Sequence, residues 1–327
     1  MSGKNYTKVS EFVLLGFGNL HGFNVLFFVV FLIIFVFTIT GNLLIIVLVS
    51  ITPALQTPMY YFLSHLSFSD LLISTNILPN ILGSLLFGKE IITYCGCITQ
   101  FYFFSASTVT ECFLLSIMSY DRYLAICNPL RYSTIMSMMF CVNLSVWPWL
   151  FSFTSNLLIV LPISDFDFCA DNVIDHFYCD LSPLQKLSCS NTFLVELEVL
   201  VFSLPIFIFP CGFITVTYIY IFHTIFSILS PTDKQKAFST CSSHLLVVGL
   251  FYGTLIAKYM IPSKGHSLVI NKISSVLHTV CTPLFNPIIY SLRNQDIRGS
   301  IMSAVTQPGG VAHPRLDDVT SRASTSL

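Results

Sequence analysis

Charged side chains are scarce in this sequence. Asp, Glu, Lys and Arg make up 9% of its 327 residues, where an average soluble domain carries roughly 25%. The few that exist are unevenly placed: none falls between Glu11 and Asp70, between Arg131 and Asp165, or between Glu198 and Asp233. Each gap is longer than the ~20 apolar residues that cross a ~30 Å hydrocarbon layer at ~1.5 Å rise per residue. A soluble domain could not cover its surface under these conditions. The chain reads as an integral membrane protein.

Other absences narrow the function. The formal net charge is −1, which provides no basic face for a phosphate backbone, so nucleic acid is excluded as a partner. There is no Gly-rich phosphate loop, metalloprotease helix or nucleophile elbow, and no other catalytic set; an enzyme is not expected. Neither a repeat with a period of roughly 20–50 residues nor the inverted pair of broken helices common in transporters is visible. Residues 1–22 are mostly polar with short apolar stretches, unlike a cleavable signal peptide, so the first span is expected to act as its own insertion signal.

What is present is apolar: 54% of residues are hydrophobic. Runs punctuated by Gly, Pro and polar clusters give seven spans. They are Phe23–Ser50, Met59–Phe87, Ile98–Cys127, Met138–Ile163, Glu196–Leu229, Ala237–Ile261 and Leu268–Leu292. The expected fold is an all-α seven-transmembrane bundle over residues 23–292, preceded by an extracellular tail, 1–22. Residues 293–305 read as a short amphipathic helix on the inner membrane surface, and 306–327 as a disordered cytoplasmic tail. The connection Ser164–Val195 carries five Asp and three Cys, and a loop of that length is usually functional or pinned.

An odd number of spans puts the termini on opposite sides. With the N-terminus outside, eight Lys and Arg lie inside against seven at or near the outer face, too close to orient the chain by positive-inside bias. Two other features decide. Asn5-Tyr6-Thr7 is a glycosylation sequon, which requires lumenal exposure of Asn5. Cys95, Cys97, Cys169, Cys179 and Cys189 flank span ends on one face, which suits disulfides in an oxidising compartment. Both place the N-terminus outside and the C-terminus in the cytoplasm.

Ionisable residues within a span are costly and mark function by default. Asp70 lies mid-span in the second segment and Glu111 mid-span in the third. Each could be neutral and hydrogen-bonded; alternatively they share a proton or a sodium ion, with Asn42, Ser67 and Asn286 as polar company, since two ionised carboxylates in one dry pocket repel. Asp121-Arg122-Tyr123 ends the third span, where it could be a solvated ion pair or part of a switch. Asn286-Pro287-Ile288-Ile289-Tyr290 lies near the end of the seventh, where Pro287 removes a backbone bond and bends the helix.

These features, in this order, resemble the rhodopsin-type G-protein-coupled receptors. Four longer strings resemble the odorant-receptor branch: Thr57-Pro58-Met59-Tyr60-Tyr61-Phe62-Leu63, Met118–Leu130, Lys236–Leu245 and Pro287–Asn294. Small departures are Ser119 for the usual Ala, Gln56 for His and His65 for Asn, and the last ~25 residues fall outside the likeness. The resemblance implies disulfides Cys97–Cys179 and Cys169–Cys189, which would clamp the long loop over the bundle mouth. It implies a ligand pocket in the outer half of the bundle: Phe104, Ser105, Thr108 and Val109 from the third span, Phe202, Ser203 and Ile206 from the fifth, Tyr252, Leu255 and Tyr259 from the sixth, and Thr279 from the seventh. This set suits a small, mostly hydrophobic odorant with one polar group. Lys258, beside it, is expected to snorkel to the outer surface, with a carboxylate-bearing ligand as the lesser reading. The switch set is Asp121, Arg122, Tyr123, Tyr218, Lys236, His244, Asn286, Pro287 and Tyr290, coupled to a heterotrimeric G protein of the stimulatory olfactory type and to rising cyclic AMP at the cell membrane of sensory cilia.

Asp175-His176-Phe177-Tyr178-Cys179-Asp180 puts His, Cys and acids together as a metal site would, but a Cys179 held in a disulfide cannot ligate as thiolate, and no metal site is expected there. Two other readings compete. A seven-helix receptor for a peptide or lipid would share the switch residues but not the Lys236–Leu245 string. A transporter would use Asp70 and Glu111 as coupled acids, yet lacks paired half-helices.

Overall fold

The computed structural model describes residues 9–18, 20, 22–168, 172–260 and 267–293, with the side chains of 236, 259, 260, 267, 268, 292 and 293 excepted. Asn5, Cys169, the side chains of Lys236 and Tyr259, and the stretches expected as an amphipathic helix beyond Arg293 and a disordered tail lie outside the described residues. In chain order the elements are β1 (Glu11–Leu14), α1 (Asn24–Ile51), α2 (Pro58–Phe87), β2 (Glu90–Thr93), α3 (Tyr94–Cys127), α4 (Pro129–Ile135) and α5 (Met138–Ser164). There follow β3 (Val173–Ile174), α6 (Leu181–Leu187), α7 (Phe193–Ser227), α8 (Pro231–Met260), α9 (Ser267–Val276), a π-helical turn (Leu277–Cys281) and α10 (Thr282–Arg293).

Six of these helices, α1, α2, α3, α5, α7 and α8, are long and apolar enough to cross a membrane. Their boundaries follow local chemistry. Extended Thr57 precedes Pro58, whose fixed φ is pre-organised for the first helical position. Thr93 caps α3 by accepting the Gly96 N–H at 3.1 Å. Gly88, at φ +78°, closes α2 in the left-handed region that favours glycine. α8 begins at Pro231 rather than the expected Ala237. Its first turn is polar, with Asp233 at the positive end of the helix dipole, so hydropathy alone could not find it. The last expected span, Leu268–Leu292, is covered by α9, the π turn and α10, which follow one another without a break.

α3 is the axis of the bundle. In its most apolar stretch 72% of residues are buried, against 28% for α1 and 17% for α7. The peripheral helices instead turn apolar side chains outward, Phe37 on α1, Trp147 on α5 and Phe209 on α7 among them, as a helix whose solvent is lipid requires.

The fold departs from an all-α expectation in one place. β1 pairs antiparallel with β2, Phe12 opposite Ile92, and parallel with β3, Leu14 opposite Ile174. Phe12 and Leu14 are fully buried, and the Phe12 ring meets Phe168 edge-on at 5.2 Å. The segment expected to be a free tail up to residue 22 is therefore tied down from Val9 onward, packed with Ile92, Cys97, Phe166, Phe168 and Cys179. Strands this short find their partners far away in sequence, so no local periodicity announces them.

Cys97 and Cys179 are disulfide-bonded across 82 residues, and Cys189 is also disulfide-bonded. Closing a loop of that length removes several kcal/mol of unfolded-state entropy, roughly 2–5 in measured cases. Cys95 is free and exposed. Cys179→Ser is expected to lower the melting temperature of detergent-purified protein and abolish surface delivery, whereas Cys95→Ser leaves both unchanged; thermal unfolding and surface labelling check this.

Candidate functional site

Polar residues gather at three levels of the bundle. At the first, the chain between α5 and α7 folds back over the helix ends and is nailed to α3 by Cys179. The Cys179 N–H donates to Gln100 Oε1 at 2.9 Å, while Gln100 Nε2 donates to Asn76 O at 2.7 Å and Asn76 Nδ2 donates to Gln100 O at 2.8 Å. The neighbours of Cys179 reach α8: Lys258 Nζ donates to Tyr178 Oη at 2.6 Å and lies 3.0 Å from Asp180 Oδ2. Asp180 Oδ1 also accepts the Leu181 N–H at 2.9 Å, capping α6. The Lys258 ammonium stands 4.8 Å from the Phe104 ring centre and 5.2 Å from that of Tyr178. It is 4% exposed, so it does not snorkel outward: a buried carboxylate and an aromatic face hold it inside. Burial alone would raise the Asp180 carboxyl, but the Lys258 charge overcomes it and keeps the group below the usual carboxylate range. His176, close by and buried, has no hydrogen bond to either ring nitrogen among the described residues, and burial pulls it down to about 3.

At the second level, Asn286 Nδ2 donates to Asp70 Oδ1 at 3.1 Å and Oδ2 at 3.0 Å. Glu111, 1% exposed, lies within electrostatic reach of Asp70, and its Oε1 has no partner among the described residues. Pro287 has no N–H to give the carbonyl of residue 283 one turn earlier. Asn42 supplies the missing donor from α1, with Nδ2 at 3.0 Å from Pro283 O. The bend in α10 is thus sealed by a side chain from another helix, at a point where Gly41 allows close approach: a Cβ there would meet the Pro287 ring at 3.3 Å.

At the third level, Asp121 pairs with its neighbour Arg122 at 3.3 Å and accepts the Tyr132 hydroxyl at 2.8 Å. Arg122 lies within electrostatic reach of His244 on α8, Tyr218 on α7 and Tyr290 on α10. His244 Nε2 lies 3.1 Å from the Leu115 carbonyl, which can only accept, so Nε2 carries the proton. Nδ1 is then the acceptor for the Tyr218 hydroxyl at 2.8 Å, and the two rings stack. One fully buried imidazole therefore joins α8 to both α3 and α7.

Known proteins share this chain almost end to end. A profile of the family described as "Olfactory receptor" matches residues 30–308. The chain is 44% identical to human olfactory receptor 11L1 over 312 residues, covering 95% of this chain and 97% of the relative. It is 45% identical to rat olfactory receptor 1500 over 305 residues, 93% and 98% of the two chains. The chain belongs to the olfactory receptor family. With six long apolar helices it is a multi-pass membrane protein, of a receptor family and not an enzyme.

In this olfactory receptor the residues expected to line a pocket are unevenly placed. Phe104, Thr108, Val109, Ile206, Tyr252, Leu255 and Thr279 are buried, and Ser105 and Ser203 half-buried. Phe202 is 37% exposed, so it does not face inward as expected; on α7 the buried position is Ile206, with Pro210 one turn further on. The hydroxyls of Ser105, Thr108 and Thr279 donate to carbonyls of their own helices, Phe101, Phe104 and Ser275. Tyr123 stacks on Tyr120 and meets Tyr220 edge-on, and Tyr290 is buried. Sequence reasoning missed Gln100, Thr254 and His278 and the partnership of Lys258 with Asp180 and Tyr178. His278 carried a signal, as an ionisable residue inside the last span; the Lys258 pairing did not, because its partners stand some eighty positions away.

His176 generates a pH dependence. Its folded value lies below the unfolded one of about 6.5, so the unfolded chain binds more protons between these values. The His176 contribution is fully present above about 6.5 and is lost as pH falls toward about 3, by at most roughly 1.4 kcal/mol per pH unit. Melting temperature in detergent is expected to drop from pH 7 to about 5, and His176→Phe to flatten that slope; an unchanged slope would contradict it.

Proposed function

We propose that this receptor binds small, mostly hydrophobic odorants in the loop-capped half of its bundle and activates a stimulatory olfactory-type heterotrimeric G protein, raising cyclic AMP. In this reading α9, the π turn and α10 form the seventh crossing, the loop-capped end faces outward with the N-terminus, and the α3 terminus at Arg122 faces the cytoplasm. Cell-surface residence in sensory cilia and glycosylation at Asn5 belong to the same reading. Asp70, Glu111 and Asn286 would hold a sodium ion: two carboxylates and an amide oxygen suit a hard cation, and the orphaned Glu111 Oε1 is a free donor for it. Such an ion would supply charge neutralisation between the carboxylates.

One observation carries the mechanism: α8 is held by buried polar contacts at two levels. Lys258 ties its last turn to the loop, and His244, near its midpoint on the inner side, ties it to α3 and α7. Each neutral hydrogen bond contributes about 0.5–1.5 kcal/mol net, so releasing the inner pair costs a sum that differential ligand binding can offset. A ligand that fits the arrangement with α8 displaced shifts the population toward it. The displacement breaks the His244 contacts with Leu115 O and Tyr218, uncovers Arg122 and opens a groove for the G protein, with Arg131 at its rim.

Arg122→Ala is expected to abolish agonist-driven cyclic AMP at unchanged surface expression. His244→Phe, which removes both bonds of the latch, is expected to raise ligand-free cyclic AMP several-fold. A His244→Phe receptor as quiet as the parent, with full agonist response, would contradict the latch.

A further inference from the structure

The group that the pocket recognises can be read from one unpaired atom. His278 lies in the π turn between α9 and α10 and is 1% exposed. Its Nδ1 is 3.2 Å from Thr254 Oγ1 on α8. A threonine hydroxyl has a single proton, and Thr254 gives it to the Phe251 carbonyl at 2.9 Å. The imidazole must therefore be the donor in the Thr254 contact, with its proton on Nδ1. In the neutral ring Nε2 is then a bare lone pair, buried and without a partner among the described residues.

Such an atom is uncommon. Leaving a buried acceptor unpaired costs about 1–3 kcal/mol, and native structures mostly avoid it. The backbone adds a second, independent feature, since π turns inside helices recur at functional sites. The ring is bounded by Phe104 at 6.0 Å and Phe251 at 5.4 Å between centres, and Phe104 also supports the Lys258 ammonium. The hydroxyl nearest in sequence, Thr279, is spent on Ser275 O.

The chemistry of the missing donor follows by exclusion. Ethers, ketones, aldehydes and esters only accept and would set lone pair against lone pair. A carboxylate has no proton to give. An amine would arrive as a cation with no carboxylate to pair it, since Asp180 is already held by Lys258. Of the neutral donors, a thiol S–H is weak and an amide N–H brings a carbonyl that would itself need a partner, so a neutral O–H fits best. We infer that His278 Nε2 is the hydrogen-bond acceptor for the ligand, and that this receptor is selective for alcohols or phenols seated against Phe104 and Phe251. This inference deepens the odorant reading and rests on it.

The test uses the full-length receptor in cells with an olfactory G protein, cyclic AMP as readout, and medium-chain straight-chain alcohols with their matched methyl ethers, aldehydes and carboxylic acids, together with alkylphenols. Alcohols or phenols are expected to be the most potent class. His278→Phe should raise their half-maximal concentration by roughly 5- to 30-fold, the loss of one buried hydrogen bond, and leave the weak ether response unmoved. His278→Gln, which keeps an acceptor oxygen, should recover part of the preference. The ranking in the unmutated receptor stands as a test even if His278→Phe fails to reach the surface. Ethers or aldehydes matching alcohols, or acids exceeding them, would overturn the inference and mean that Nε2 carries the proton and donates. Silence toward every series, with the receptor at the surface, would instead defeat the odorant reading beneath it.

Discussion

A polar or charged group inside hydrocarbon must be neutral or paired, because no water is present to solvate it. That constraint organises this molecule. Several buried ionisable residues of α2, α3 and α8 meet a group from a different element: Asp70 with Asn286, Asp121 with Tyr132, His244 with Tyr218 and Leu115 O, and Lys258 with Asp180 and Tyr178. Between helices that are otherwise equally apolar on every face, these pairings specify which helix lies beside which. Even the backbone obeys the rule, with Asn42 answering the carbonyl that Pro287 leaves open.

The same contacts that fix the packing are the ones a receptor must exchange to change state. α8 has one polar tie near its midpoint, at His244, and another in its last turn, at Lys258, so its first half can swing once the midpoint tie is weakened. The tie at Lys258 is an ion pair whose rupture leaves a buried carboxylate behind, a cost of some 3–5 kcal/mol. The tie at His244 is two neutral hydrogen bonds and is cheaper to break. Displacement of the Pro231 end, with the last turn at Lys258 as pivot, follows from that inequality, and it is the direction in which the proposed G-protein groove would open.

Hydropathy made most of the helical frame legible, because charge-free runs have no other explanation in a chain of this length. The ends were less so: the polar first turn of α8 and the short strand at Phe12 and Leu14 carry no hydropathy signal, and strand pairing over such distances has no local pattern. At the site, Asp70 was visible as an ionisable residue within an apolar run and Arg122 and Asn286 in polar motifs near span ends, whereas His244 and the disulfide between Cys97 and Cys179 came through family resemblance. What stayed hidden depends on partners remote in sequence. Lys258 near a helix end reads as a snorkelling residue until Asp180 and Phe104 are placed against it, and Phe202 reads as inward-facing until the rotation of α7 is known.

The central claim is that α8 swings at its Pro231 end, releasing His244, when ligand occupies the loop-capped half of the bundle. The most direct measurement is the distance between spin labels introduced through noncanonical amino acids at Met138, exposed at the start of α5, and Thr232, exposed at the start of α8. It is read by double electron–electron resonance with and without an agonist. A distribution that shifts by several ångströms toward longer distances with agonist is the expected result. A distribution unchanged by an agonist that still raises cyclic AMP would contradict the account.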